Sequence, residues 1–411
     1  MSDPQPGPLT LDDVLAAREG LADVLSPTPM ELSRGLSDRV GLPVHLKCEN
    51  LQLAGSFKMR GAYTRMSRLT PEEAARGVVA ASAGNHAQGV ALAANMLGIS
   101  ATVYMPEGAA MPKLAATRGY GATVIEGGET LDVCIEAAKE HQERTGAVFV
   151  PPFDHPDIVA GQGTCGLEIL EQVPDVRTIL VSTGGGGLLA GIATAVKARR
   201  PDVRVVGVQA EQAAAWPRSL AEGHPVALDR MATMADGIAV GRPGDVPFGL
   251  VAQHVDAMET VSEAALARSV LYLVEHAKLV AEPAGAAATA HLLELGQEAA
   301  ERYEGPVVAV VSGGNIDPVV LLRILRKGMT VAGRYLQLRV VVPDRPGELA
   351  SLLALLAEQR CNVLEVQHSR RVASLAVDEV SIQVTLETRG HDHSATVQSS
   401  LLERGYAVEQ L

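Results

Sequence analysis

Between Val44 and Val311 the chain repeats one pattern, a short apolar, β-branched run followed by an alanine-rich stretch with helical spacing. GVVAASA leads into AQGVALAANMLGI, ATVYMP into PKLAATRGYG, ATVIEGG into TLDVCIEAAKEHQERTG, and TILVSTGGGG into LLAGIATAVKARRP; VRVVGVQAE and PVVAVVSGGN follow. Runs that are apolar throughout, rather than at every second residue, belong to strands buried on both faces. The pattern therefore predicts an α/β fold with parallel sheets covered by helices. In such folds the strand-to-helix loops gather at the carboxyl ends of the strands, where ligands bind. After RKGMTVAGRY the character changes. YLQLRVVVPD reads as a strand, RPGELASLLALLAEQ as a helix, NVLEVQHSRR and VDEVSIQVTLETRG as strands, HSATVQSSLLERG as a helix and YAVEQL as a last strand. That order, βαββαβ, predicts a separate ferredoxin-like domain, with the boundary near Val331 to Arg334.

At 411 residues, 47% of them hydrophobic, the chain has material for two or three domains. A formal net charge of −13 without a long basic run argues against nucleic acid or an anionic membrane as partner, and for a small molecule. MSDPQPGPLT lacks the charged and apolar regions of a signal peptide, and no segment approaches the length of a membrane span. The chain reads as a cytoplasmic, soluble protein. Cys48, Cys134, Cys165 and Cys361 are far apart and without C-x-x-C spacing, so they read as buried free thiols. His391 and His393 have no further ligands nearby, and no metal site is expected there.

Three loops, SAGNHAQG, STGGGGLLAG and SGGN, carry glycines between a strand and a helix. Such loops let backbone N–H groups close on an anion at a helix start, and Gly184 to Gly187 suit a phosphate best. Leu188 and Leu189 follow where a nucleoside-triphosphate loop would carry Lys and Ser or Thr. Gly185, Gly187 and Ala190, with Glu211 after the next strand, do match a relaxed dinucleotide fingerprint, which keeps a nicotinamide dehydrogenase as a rival. Lys58 arbitrates between them. Ser56 resembles a helix N-cap, and Met59, Ala62, Tyr63 and Met66 recur at helical spacing. A lysine in that first turn meets the positive end of the helix dipole, and partial burial disfavours its charge further. Its pKa should be lowered, as a nucleophilic and basic amine requires.

Together GSFKMRGA, SAGNHAQG, GGGGLLAG and VSGGN resemble, in order and spacing, the pyridoxal 5′-phosphate (PLP) enzymes of the tryptophan synthase β type, fold type II. KCENLQ and AEPAGAA narrow the resemblance to threonine dehydratases, also called threonine ammonia-lyases, and it runs from Met30 to Gly328. The resemblance implies a large PLP-binding domain from residues 1–48 and 152–330, a small catalytic domain from 49–151, and an ACT-type regulatory domain from 334–411. It makes Lys58 the residue that holds PLP as a Schiff base, with Phe57 against the ring, Asn85 on the phenolic oxygen, Gly184, Gly185, Gly186 and Gly187 around the phosphate, and Ser312 at the pyridine nitrogen. Ser82, Ala83, Gly84 and Asn85 would face the substrate carboxylate. His86 is expected to be structural.

A neutral hydroxyl at Ser312 does not hold the pyridine nitrogen protonated, so the ring is a moderate electron sink and elimination is favoured over transamination. The implied reaction is deamination of L-threonine, and of L-serine, to 2-oxobutanoate or pyruvate and ammonia, with Lys58 as base and the cofactor phosphate as acid. Serine racemases of the family carry a serine where this chain has Ala83, and divalent-ion acids at positions matching Gln209 and Ala215. Racemase activity and a divalent site are therefore not expected, while a potassium site made of carbonyls stays open. PDRPGELA and CNVLEVQ carry the ACT likeness, which places an isoleucine or valine effector at Pro346, Gly347 and Asn362 between paired domains of a dimer or tetramer. Rival readings are a cysteine synthase-like β-replacement enzyme, a serine racemase or dehydratase, and an amino-acid sensor without the Schiff base.

Overall fold

The computed structural model describes residues 9–370 and 375–411. The chain divides into two compact units that meet between Leu321 and Leu322, inside the helix Pro318–Val331. The sequence marks the change later, at Val331 to Arg334, because an unbroken helix has no turn residue to signal the earlier division.

The first unit holds two sheets. In the six-stranded sheet the order is Met30–Leu32, Val44–Lys47, Val307–Val310, Thr178–Ser182, Arg204–Ala210 and Ala257–Val261. Its first pair is antiparallel and every other pairing is parallel. The four-stranded sheet is parallel throughout, in the order Thr123–Glu126, Ala101–Met105, Val78–Ala81 and Val148–Phe149. All residues of Val78–Ala81 are buried because both faces are covered. Val78 and Ala80 pack with Met59, Ala87 and Val90 on one side, and Val79 and Ala81 with Cys134 and Ala138 on the other. Thr178–Ser182 and Val307–Val310 are likewise wholly buried, each full-sized apolar side chain contributing about 1.5–3 kcal/mol. Rigid strands of this kind fix the loops that leave their carboxyl ends.

The second unit is an antiparallel sheet in the order Asn362–Ser369, Glu379–Glu387, Tyr335–Pro343 and Ala407–Gln410, with helices Glu348–Glu358 and His391–Glu403. This is the ferredoxin-like order expected. Leu336, Leu338, Val340 and Val342 alternate inward and meet Leu352, Leu355 and Val397. The strand expected over 362–371 runs to Ser369; Arg371 lies outside the described residues. On this edge strand Val363, Leu364 and Val366 are exposed. All four cysteines are free and buried. Among the described residues no helix is long and apolar enough to cross a membrane, and no cluster of three or more His, Cys, Asp or Glu side chains could hold a metal.

Candidate active site

Lys58 opens the helix Lys58–Ser67. Ser56, expected as its N-cap, does not cap it: the residue is extended, pairs with Gly313 in an isolated bridge, and its buried hydroxyl has no partner. Phe57 starts the helical turn instead, and its N–H donates to the carbonyl of Ser312 at 3.2 Å. The lysine is thereby spliced to the end of the strand Val307–Val310. Behind the first turn Arg60 is buried and bonds Glu49 at 2.7 Å and Glu168 at 2.6 Å, while Lys47 bonds Glu168 at 2.6 Å. Two cations offset two anions, which burial of such groups demands. The Lys58 amine donates to the carbonyl of Pro152 at 2.8 Å and lies 5.1 Å from the Phe57 ring centroid. Burial lowers its pKa to about 8, opposed by the nearby Glu282. The free base therefore forms at milder pH than for an ordinary lysine.

A cavity of about 300 Å³ opens in front of this amine, at the carboxyl ends of strands from both sheets. It brings together Phe57, Lys58, Ser82, Ala83, Gly84, Asn85, Gly184, Gly185, Gly186, Gly187 and Ser312, the whole set that the sequence assigns to the first unit. Pro346, Gly347 and Asn362 belong to the second unit. Asn85 is held at both ends of its amide, Nδ2 donating to Glu282 Oε1 at 2.5 Å and Oδ1 accepting from Asn315 Nδ2 at 2.8 Å. One Nδ2 hydrogen remains for a ligand. His86 donates Nε2–H to the carbonyl of Val150 at 2.8 Å; burial, then the Lys58 charge, push its pKa down to about 3. It is a neutral, structural ring.

Glu282 is the residue the sequence reading passed over. It is buried on the cavity wall, and its pKa is raised to about 7 by burial and then by Asp236, against the pull of Lys113, Asn85 and Lys58. Lys113 and Asp236 form an ion pair of 2.8 Å beside it. The available signal was a single acid inside the apolar run LVAEPAGAAATA, since an unpaired buried carboxyl is costly and seldom accidental. Phe153 also went unnoticed, although a β-carbon on Gly185 would lie 2.5 Å from its ring and one on Gly187 3.1 Å from its Cβ.

The glycine loop has its carbonyls tied back. That of Gly184 accepts from the Trp216 indole at 2.7 Å, that of Gly185 from the N–H of Gly244 at 3.1 Å, and that of Gly186 from the N–H of Ala190 at 2.8 Å. In a trans peptide the following N–H points the opposite way. The N–H groups of Gly185, Gly186 and Gly187 are thus turned from these ties, and among the described residues they find no acceptor. This is a cradle for an anion at the start of the helix Gly187–Arg199.

A family model for the pyridoxal-phosphate dependent enzyme matches residues 21–313. The chain belongs to this family. An L-threonine ammonia-lyase of Thermotoga maritima is 45% identical over 400 residues, 97% of this chain and 99% of that protein. Among solved structures, the processed form of threonine deaminase isoform 2 from Solanum lycopersicum superposes with a TM-score of 0.73 and 36% identity, covering 80% of this chain and 91% of that one. Maize serine racemase gives a TM-score of 0.74 and 34% identity, covering 79% and 99%.

As a pyridoxal-phosphate dependent enzyme, the chain has a cavity that fits its cofactor: a primary amine of lowered pKa stands at one end and unpartnered N–H groups at the other. At the N–H end position 186 admits only glycine, since Gly186 has φ of +99° and a β-carbon there would lie 2.3 Å from Trp216. Ala83 is on the cavity wall. Gln209 and Ala215 are buried and do not line it.

Proposed function

We propose that this chain is an L-threonine ammonia-lyase, working in the cytoplasm, that also accepts L-serine. The observation that carries the reading is the pairing of Lys58, an amine whose charge is disfavoured by burial, with a phosphate cradle across one cavity. The near full-length likeness to the Thermotoga maritima L-threonine ammonia-lyase chooses the substrate. When bound, PLP supplies the carbonyl that captures amino groups and the sink for the electron pair left at Cα. Lys58 Nζ would hold the cofactor and, as a free amine, would serve as general base for the Cα proton. The N–H groups of Gly185 to Gly187 would hold the phosphate, the spare hydrogen of Asn85 Nδ2 would hold the phenolic oxygen, and Ser312 would offer the ring nitrogen a neutral hydroxyl. The loop Ser82 to Asn85, at the start of the helix Asn85–Leu97, receives the substrate carboxylate. The products are 2-oxobutanoate, or pyruvate from serine, and ammonia.

In this reading residues 1–48 and 152–330 bind the cofactor, 49–151 form the smaller catalytic domain, and 334–411 form an ACT regulatory domain. Isoleucine or valine would bind at Pro346, Gly347 and Asn362. The edge strand Asn362–Ser369, with its exposed Val363, Leu364 and Val366, supports pairing of these domains in a homo-oligomer. The test is keto-acid release from L-threonine, with and without isoleucine, alongside L-serine plus sulfide. Borohydride should fix the cofactor on Lys58, and Lys58→Ala should abolish both the visible band and turnover. A thiol product from serine and sulfide, or turnover that survives Lys58→Ala, would overturn the proposal.

A further inference from the structure

Trp216 is the only tryptophan of the chain, and it is fully buried beneath the glycine loop. Three ties hold it. Its backbone N–H donates to Gln209 Oε1 at 3.0 Å, its indole N–H donates to the carbonyl of Gly184 at 2.7 Å, and its ring stacks on Phe248 with centroids 6.0 Å apart. Gln209, at the end of the strand Arg204–Ala210, also donates Nε2–H to the carbonyl of Ala213 at 3.2 Å. One buried amide thus closes the turn between that strand and the helix Ala215–Glu222, using its acceptor and one donor hydrogen.

We propose that Gln209 and Trp216 form a clasp that sets the affinity of the glycine loop for the cofactor phosphate. The inference rests on the reading of Gly184 to Gly187 as that phosphate's cradle. The indole bond fixes the first loop peptide with its carbonyl away from the ligand, and planarity then aims the N–H of Gly185 the other way. Without this bond the peptide is free to rotate, and a cradle that must be organised on binding holds its ligand less tightly. Gln209 does not touch the cofactor; it fixes the Trp216 backbone, and so the height of the indole under the loop. Both are positioning residues.

The test compares Trp216→Phe, which keeps an aromatic ring, smaller than the indole, and removes the N–H, with Gln209→Met, which keeps the volume but removes both amide bonds. PLP dissociation constants are measured by equilibrium dialysis of the full chain, with near-ultraviolet circular dichroism as a control for folding. Both variants should bind PLP more weakly by roughly tenfold, the loss expected when one buried polar contact is removed. Free inorganic phosphate, followed by ³¹P NMR as a competitor of PLP, should weaken in parallel, a response that a merely structural role would not give. In Gln209→Met the emission of Trp216 should also shift. Gly185→Val serves as the loop control. If Gly185→Val weakens PLP binding while the two folded clasp variants match the parent, the clasp is refuted and the cradle stands. If none of the three changes affinity, the cradle reading falls and the clasp with it.

Discussion

Glu282→Gln isolates the cost of a buried carboxylate. Glutamine keeps the oxygen that accepts from Asn85 Nδ2 at 2.5 Å and removes the charge. In the folded chain the carboxyl is held back from ionising, its pKa raised from the usual 4.5 to about 7 by burial and then by Asp236. A group whose pKa is raised on folding contributes stability that is fully present below its unfolded pKa and lost as pH climbs through the folded one. At about 1.4 kcal/mol per pH unit, that displacement corresponds to about 3 kcal/mol by the time Glu282 is ionised. The cofactor-free variant should therefore equal the parent near pH 4.5 and become more stable than it by about 2–3 kcal/mol near pH 8, the gap opening between the two. Urea unfolding of both proteins across this range, at fixed ionic strength, measures the difference. A gap that stays flat with pH, or a variant that is the weaker protein at the alkaline end, would refute the argument.

Two further expectations use the same neighbourhood. Asp236→Asn should lower the Glu282 midpoint and Lys113→Met should raise it, because the first removes a charge that opposes ionisation and the second one that assists it; the pH at which the Glu282→Gln gap stops widening, and its final size, read both shifts in each background. Arg60→Met removes the guanidinium that Glu49 and Glu168 share. Loss of one partner from a buried ion network typically costs about 3–5 kcal/mol, which urea unfolding should register. Arg60→Lys, with no planar fork, should recover only part of it.

Much of this site is legible in the sequence because its loops are dictated by local chemistry. Glycines at the ends of apolar runs announce a loop of free N–H groups, and the same runs, lacking polar alternation, announce the parallel sheets. Lys58 stands out for its place beside a helix start. Other parts depend on partners distant in the chain. Ser56 has the residue type of a cap, but its backbone lies extended against Gly313, a partner far away in the chain. The role of Glu282 is set by Asp236 and Lys113, neither of which is near it in sequence. The edge strand Ala257–Val261 escapes notice for a different reason, since Glu259 and Thr260 interrupt its apolar character. Helix Leu11–Leu21 lies ahead of the repeating pattern and gains its place by packing.

The buried quartet behind Lys58 has a consequence for anyone recombining this protein with a relative. Its members come from three segments, Lys47 and Glu49 near one strand, Arg60 in the lysine helix, and Glu168 in the helix Pro156–Gln172. A chimera whose crossover falls between residues 60 and 168 takes Lys47, Glu49 and Arg60 from one parent and Glu168 from the other. Where the parents differ in charge at any of the four, such a hybrid carries an uncompensated charge behind Lys58, so permissible breakpoints lie before Lys47 or after Glu168.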